Sequence, residues 1–490
     1  MQARRYHLMG IGGTGMSALA EILRAGGFEV SGCDLHLGSE AIPHLRSLGV
    51  SVFEGHDPGH VGLADVLVVS SAIPRDNPER LEAERLGVPV RHRAEALAGA
   101  LSGRSLVAVA GAHGKTTTAA LTAHMLVELG MDPMVAVGFA LPGSPTGARP
   151  GRGGLAVVEA DESDRSFLNF HPDIAVVTTI EPDHLENYGY SFDRLIDAYA
   201  RFMAQVVPNG WWVLGTDSPV VRDLLNGRNG ALPRLNAEGS RVVTYALGPH
   251  PARWTARGIE LAARGSRFVA VRDEQVVGPV RLSVPGQHNV ANALAVLGVA
   301  DALGLDLEAA CRSLEGFTGA RRRFEVVAEA GGVMVVDDYA HHPTKIAATI
   351  AAARDGYGAR VVAVFQPHRY HRTAILMDEL AGAFDRADAV VLTDIYAPPP
   401  EQPLPGVTGL ELFRRLAARP VWTARPDKAF FCPTLEETYE RALAEAVPGT
   451  LVLVMGAGNI TQLARRLGEA VRSRYGPGGP AGPGGRGSGG

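Results

Sequence analysis

Short runs of β-branched and other apolar residues alternate with stretches whose apolar positions recur every three or four residues, and the alternation continues along almost the whole chain. The run RYHLMGI (5–11) breaks into glycines, after which Met16, Leu19, Ala20 and Leu23 recur at helical spacing. FEVSGCD and ADVLVVSSAI read as the next strands. The first hundred residues therefore carry a βαβ pattern, which predicts a parallel sheet with helices on its faces. AGALSGRS (98–105) reads as a linker. Beyond it, GLAVVEA, DIAVVTTI and WWVLG predict strands interleaved with helices such as DRLIDAYARFMAQV. From about 240 to 284 the pattern is strand-rich without clear helices, a β-addition ahead of the helix HNVANALAVLGVADALG. GFTGARRR marks a second boundary, and GVMVVDD, ARVVAVFQ, ADAVVLTDI and TLVLVMGAG predict a third α/β unit. The expectation is an α/β chain with domains over 1–100, 101–318 and 319–475. The Gly/Pro/Ser-rich tail over 476–490 is expected to be disordered.

The length of 490 residues agrees with three domains at roughly 150 residues each. A formal charge of −5 argues against bulk attraction to nucleic acid or to an anionic membrane, while leaving room for a local basic pocket. Cys33, Cys311 and Cys432 lie far apart with no metal-ligand spacing among them, as expected of buried free thiols in a reducing compartment. The N-terminal MQARRYHLMGIGG breaks at glycines before an apolar segment of signal-peptide length can form. No apolar run approaches the ~18 residues of a membrane span, so the expected location is the cytoplasm.

Three glycine-containing or strand-end motifs carry most of the chemistry. VAVAGAHGKTTTAA (107–120) runs from strand through a glycine turn into Lys-Thr and a helix, the order that wraps backbone N–H groups around a phosphate. The loop is shorter than the standard P-loop, which has glycine where this chain has Val109. Lys115 supplies a flexible cation for phosphate and Thr116 a hydroxyl for Mg²⁺, whereas His113 is explained equally well as a turn residue. In VVEADESD, Glu159 ends a buried strand, at the edge where open α/β sheets bind ligands, and is suited to hold Mg²⁺. Asp161, Glu162 and Asp164 read as solvated loop charges or caps. His184, in TTIEPDHLENYG, follows another buried strand; its residue pattern leaves structural and metal-binding roles open, because Mg²⁺ prefers oxygen.

GIGGTG places Gly10, Gly12 and Gly15 in a dinucleotide-type frame with Asp34 at the end of the next strand. This predicts a diphosphate on a helix N-terminus without saying which compound carries it. Asn289 and Asn292, three apart at a helix start, read as a capping residue and a possible ligand. In the third unit, ARRRFEV, VVDDYAHHPT and FQPHRYHRT cluster Arg321, Arg322, Arg323, Asp338, His341, His368, Arg369 and Arg372. Arginine forks suit phosphate and carboxylate, although at least one of the three consecutive arginines is expected to be an exposed turn residue.

In this order, GIGGTGMSALAEIL, SSAI, GAHGKTTT, EADESD, EPDHLENYG, HNVANALA, DDYAHHPT and QPHRYHRT resemble the Mur ligase family of peptidoglycan synthesis, from residue 5 to about 470. Ala112 departs from the family pattern, which has Thr there, and the proline-rich loop around Glu401 has no assigned counterpart. The resemblance implies a Rossmann-like N-terminal domain that binds a UDP-sugar, a central P-loop-type ATPase domain with a mostly parallel sheet, and a Rossmann-like C-terminal domain. It implies ATP-dependent joining of L-alanine to the carboxylate of UDP-N-acetylmuramate through an acyl phosphate, with Mg²⁺, in a monomer or weak homodimer. Gly111, Ala112, His113, Gly114, Lys115, Thr116, Thr117, Asn289, Asn292, Arg323 and Asp338 would then serve ATP, and Thr116, Glu159 and His184 the metal. Gly12, Gly13, Thr14, Gly15, Met16, Asp34, Ser70, Ser71, Tyr339, His341, His368, Arg369 and Arg372 would face the UDP-sugar, with Lys115, His184 and Arg372 closest to the chemistry. Two other activities fit parts of the sequence: ligation of a ready-made peptide to the same sugar, and NAD-dependent oxidoreduction built on GIGGTG and Asp34.

Overall fold

The computed structural model describes residues 4–141, 144–227, 241–262, 264–319, 321–398 and 401–476. Apart from Gly476, the tail expected to be disordered lies outside the described residues. Three sheets organise a three-domain α/β architecture, and the chain divides into two compact units. One unit holds Met1–Ile259, Arg267–Leu282 and Asn289–Arg321; the other holds Glu260–Ser266, Ser283–His288 and Arg322–Gly490.

The N-terminal sheet has five parallel strands in the order Ser51–Glu54, Glu29–Asp34, Arg5–Met9, Val66–Val69 and Val90–His92. Its side chains alternate between two cores. Leu8, Val66 and Val68 pack on one face with Leu19 and Leu23 of the helix Thr14–Ala25, while Met9, Cys33, Leu67 and Val69 pack on the other. Strand order reverses between Arg5–Met9 and Val66–Val69, so the loops that leave these two strands flank the switch point where such sheets bind ligands.

The central sheet has ten strands, in the order Gln275–Leu282, Gly265–Arg272, Trp254–Ala262, Arg241–Tyr245, Trp211–Gly215, Ile174–Val177, Ser105–Ala110, Leu155–Glu159, Met134–Ala136 and Ala148–Pro150. The strands from Arg241–Tyr245 through Met134–Ala136 run parallel, and the strand-rich stretch expected after 240 forms the far end of the sheet. Of the residues read as a linker at 98–105, half belong to regular elements and half form a turn between them. The helix Arg93–Ala100 continues to 100 and the first central strand starts at Ser105, leaving a four-residue turn.

The C-terminal sheet orders its strands Glu325–Ala330, Val333–Asp338, Thr450–Met455, Arg360–Phe365, Ala389–Leu392 and Ala429–Phe431, all parallel except the first. Fully buried apolar runs such as Val361–Val364 separate two cores, one on each face.

Gly32 links strand packing to the glycine loop. A Cβ there would lie 2.5 Å from the Leu8 carbonyl oxygen and 2.9 Å from Ile11 Cβ, so the loop residue Ile11 rests against bare backbone. Gly32→Ala is expected to destabilise the N-terminal domain by about 1–3 kcal/mol through overpacking. The control is Gly38→Ala, whose added Cβ meets nothing within 4 Å. Amide hydrogen exchange in Arg5–Met9 reads the difference, and equal protection in both variants would contradict this packing.

Candidate active site

Because the central strands are parallel, the loops that follow Ser105–Ala110, Leu155–Glu159 and Ile174–Val177 leave from one edge of the sheet. That edge collects the glycine loop, Glu159 and the segment carrying His184. Gly111 has φ 136° and Gly114 has φ 77°, and a Cβ on them would collide with Thr178 Oγ1 and Asn292 Oδ1 respectively. Ala112 N–H donates to Thr179 O at 2.8 Å and His113 N–H to Thr179 Oγ1 at 3.1 Å, which fastens the loop to the neighbouring strand end. The helix Lys115–Glu128 follows, with Gly114 at its N-cap and no capping side chain.

Lys115 Nζ donates to Gly111 O at 2.7 Å and to both carboxylate oxygens of Glu162 at 2.8 Å. Burial by itself would lower the lysine pKa, but Glu162, Asp161 and Glu159 outweigh it and hold the group firmly as ammonium. Glu162 is thus not a solvated loop charge: it is 2 % exposed and is the lysine's counter-ion. The cause is a tight turn after the strand, in which Arg165 N–H donates to Glu162 O, fixed by Tyr188 OH on the same carbonyl oxygen. Asp161 is also held internally, accepting from Ser163 N–H at 3.0 Å, and Asp164 accepts from Ser166 N–H at 2.9 Å.

Beside the lysine, Thr116 Oγ1 donates to Glu159 Oε1 at 2.7 Å, and Gly138 N–H donates to Glu159 Oε2 at 2.7 Å. A hydroxyl and a carboxylate oxygen side by side are the hard donors Mg²⁺ prefers, so these residues fit that ion. His184 adopts a left-handed φ of 55°, with its ring 3.6 Å from Asp183 and 3.8 Å from Glu186, and acts electrostatically on Asp161 and Glu162. His113 Nε2 lies 2.9 Å from Glu181. Thr117 is buried at the helix start. The two asparagines do not cap: the helix starts at Gln287, Asn289 lies within it, and Asn292 Nδ2 donates to Asn289 Oδ1 at 3.0 Å. The buried pair instead backs the glycine loop through Asn292.

At the switch point of the N-terminal sheet, Gly10 and Ile11 N–H groups both donate to Cys33 O, and Gly10 has φ 71°. Asp34 Oδ2 accepts from Gly12 N–H at 2.9 Å and its other oxygen from His36 N–H at 3.2 Å, so this carboxylate shapes the loop itself. Gly13 is the N-cap of Thr14–Ala25 and no side chain caps it, while Gly15 packs against Arg93, whose guanidinium would stand 2.9 Å from an added Cβ. Arg93 escaped sequence reasoning because only the fold brings residue 93 to residue 15. Met16 is a core residue whose N–H donates to Gly13 O, so it supports the loop through packing. Ser70 and Ser71 follow the strand Val66–Val69 and, with Ile73, Arg75, Arg80 and His92, line a cleft of about 500 Å³. Ser71 Oγ donates to Asp164 Oδ2 at 2.8 Å.

The second unit gathers its own cluster where Val333–Asp338 and Arg360–Phe365 end. Asp338 accepts from Phe324 N–H at 2.8 Å and Ala340 N–H at 2.7 Å; burial pushes its carboxyl up, against the pull of Arg323. The guanidinium groups of Arg322 and Arg323 stand 5.0 and 5.4 Å from the Tyr339 ring centroid. His341 packs edge-on to Tyr339 and its centroid is 6.1 Å from that of His368, whose Nδ1 lies 3.3 Å from Arg372 Nη1. Arg369 holds a left-handed φ of 69° and its N–H donates to Tyr396 O at 2.8 Å. Glu401, without an assigned role, accepts from His371 N–H at 3.0 Å. Arg321 belongs to the first unit, where it pairs with Glu40 at 2.8 Å and is the surface member of the arginine run.

Three family models match in chain order: the Mur ligase family catalytic domain over 5–105, the Mur ligase middle domain over 109–300 and the Mur ligase glutamate ligase domain over 322–458. A UDP-N-acetylmuramate–L-alanine ligase from Symbiobacterium thermophilum is 46% identical over 97% of this chain and 96% of its own. The crystal structure of a UDP-N-acetylmuramate–alanine ligase from Thermotoga maritima is 29% identical with a TM-score of 0.78, covering 96% of this chain and all of that one. A murein peptide ligase from Psychrobacter arcticus shares the fold, with a TM-score of 0.69 at 24% identity over 96% of this chain and 98% of its own. With three domain models in sequence and a relative similar over nearly its full length, the chain belongs to the Mur ligase family.

Proposed function

We propose that this protein is an ATP-dependent ligase that joins L-alanine to the carboxylate of UDP-N-acetylmuramate, a cytoplasmic step of peptidoglycan precursor synthesis. The observation that carries the reading is the Lys115 ammonium, held at the tip of the Gly111–Gly114 loop beside the Thr116–Glu159 pair. The names of the similar ligases support the choice of substrates.

Amide formation from a carboxylate needs an activated acyl group. The sugar carboxylate would attack the γ-phosphorus of ATP, giving an acyl phosphate and ADP. The alanine amine then attacks the acyl carbon, phosphate leaves, and the amine gives up its proton. Backbone N–H groups of the Gly111–Gly114 loop and the start of the following helix would cradle the phosphates, and Lys115 would neutralise charge on the migrating phosphoryl group. Mg²⁺, held by Thr116 and Glu159 with His184 as an outer partner, would supply charge neutralisation and alignment of the phosphate oxygens. Asn289 and Asn292 would hold the loop in shape, and Arg323 and Asp338 would serve ATP. The glycine loop at 10–15, with Asp34, Ser70, Ser71 and Arg93, would bind the diphosphate of the sugar nucleotide. Tyr339, His341, His368, Arg369 and Arg372 would orient the carboxylate substrate.

The deciding assay is ADP release by the purified protein with UDP-N-acetylmuramate and either L-alanine, the cell-wall tripeptide or no amine. Release with L-alanine well above the other two is expected; preference for the tripeptide would move the protein to the peptide-recycling reaction. Tight NAD binding would contradict the assignment of the first glycine loop. Lys115→Ala is expected to fold and to lose at least about 10²-fold in kcat, the usual cost of removing a contact to developing charge. Near-normal turnover would take the loop out of the mechanism. Glu159→Ala and His184→Ala should each raise the Mg²⁺ concentration needed for half-maximal rate; titrations that overlay the parent would exclude both as metal partners.

A further inference from the structure

The proposed ligase site leaves unused a second cluster of ligating side chains, inside the N-terminal domain. His7 on the first strand, Cys33 on the second, His60 on the short turn Pro58–Val61 and Glu79 near the start of the helix Pro78–Leu86 converge beneath the sheet. One ligating atom from each lies within 4.8 Å of the other three. His7, Cys33 and Glu79 are fully buried, while the His60 side chain is 17% exposed.

From this geometry we infer that His7, Cys33, His60 and Glu79 form a structural binding site for a divalent transition metal of the zinc class.

Spacing supports it. Glu79 Oε2 is 3.2 Å from both Cys33 Sγ and His7 Nε2, and Glu79 Oε1 is 3.0 Å from His60 Nδ1. A tetrahedral zinc site with bonds of about 2.0–2.3 Å has its donors about 3.3–3.8 Å apart, so donors that now lie within 4.8 Å of one another would have to converge by about an ångström at most pairs to hold the ion. Thiolate, imidazole and carboxylate are the donors zinc takes, and their mixture with sulfur disfavours Mg²⁺ and Ca²⁺.

Hydrogen bonding supports it independently. His7 Nδ1 pairs with Ser31 Oγ at 2.8 Å, the outer partner that orients a metal-bound imidazole. Its Nε2 is buried without a hydrogen bond, although Glu79 Oε2 is only 3.2 Å away. With Nδ1 engaged by Ser31, Nε2 is the ring nitrogen left to meet a cation shared with Glu79. Glu79 is itself fixed from behind: Asn77 Oδ1 accepts from its N–H at 2.9 Å, and Asp57 N–H donates to its Oε1 at 3.0 Å.

Charge gives the third support. On binding, Cys33 loses its thiol proton to solvent and both histidines bind neutral. The thiolate and the carboxylate then cancel the two positive charges, so the buried site carries no net charge. Access is from the His60 side, where the His56 ring, 15% exposed, stands with its Nδ1 3.3 Å from Cys33 Sγ.

The test uses the full chain, stripped with chelator and titrated with Co²⁺ under excess Mg²⁺ to occupy oxygen-donor sites. One equivalent of Co²⁺ is expected to give a thiolate charge-transfer band with intense tetrahedral d–d bands, and Zn²⁺ should displace it. Cys33→Ser should abolish the charge-transfer band, Cys311→Ser should retain it, and His60→Ala, at the partly exposed ligand, should weaken Co²⁺ binding by more than about 10-fold. Zn²⁺ should raise the melting temperature of the parent but not of Cys33→Ser. No thiolate band with the parent, or a band that survives in Cys33→Ser, overturns the assignment. Because neither readout involves ligation, failure here is separable from failure of the proposed activity.

Discussion

A lysine ammonium buried at the tip of a glycine loop must be neutralised, and much of the central domain is arranged around meeting that requirement at Lys115. Three carboxylates from the end of one strand and the segment after it, Glu159, Asp161 and Glu162, act on it together, and Glu162 makes the direct contact. Each carboxylate needs its own support. Glu159 takes Thr116 and Gly138, Asp161 takes Ser163, and the turn that carries Glu162 is tied by Tyr188. The parallel sheet makes this possible, because it delivers the glycine loop and the acidic segment from adjacent strands to the same edge.

The glycines act through absence of side chain. Gly111 and Gly114 admit Thr178 and Asn292 against the loop backbone, and Gly32 admits Leu8 and Ile11. Backbone N–H groups can cradle an anion only when loop geometry is held, and here it is held by strand ends, by the Asn289–Asn292 pair and by the Asp34 carboxylate. The left-handed backbone at His184 and Arg369 belongs with these features, since both lie in strand-end loops that carry candidate ligand groups.

The N-terminal cluster obeys the same electrostatic rule in a different way. Glu79 is fully buried, yet its carboxyl is held down at about 2: burial pushes it up, and the facing side chains of His7, His60 and Cys33 more than offset that. Three ligating side chains around one carboxylate concentrate polar groups where the rest of that core, Met9, Val61, Leu67, Val69 and Ala83, is apolar. Such a concentration stabilises a core only if every group finds a partner, and the unbonded His7 Nε2 is the exception.

Alternation of apolar runs and helical periodicities determined the three α/β domains, since period 2 and period 3.6 are local properties of the chain. Motifs contiguous in sequence were legible for the same reason: the loop at 111–117, Glu159 at its strand end and GIGGTG need only neighbouring residues to be recognised. Glu162 was misread because its burial depends on a turn closed by Tyr188, 26 positions later. The asparagines were misread because the helix begins two residues before Asn289, a boundary that propensity does not fix. Arg93 beside Gly15, and the convergence of His7, Cys33, His60 and Glu79, are invisible to spacing. Their partners come from separate strands, turns and helices, and only the packing of a parallel sheet against its crossovers sets the distances between them.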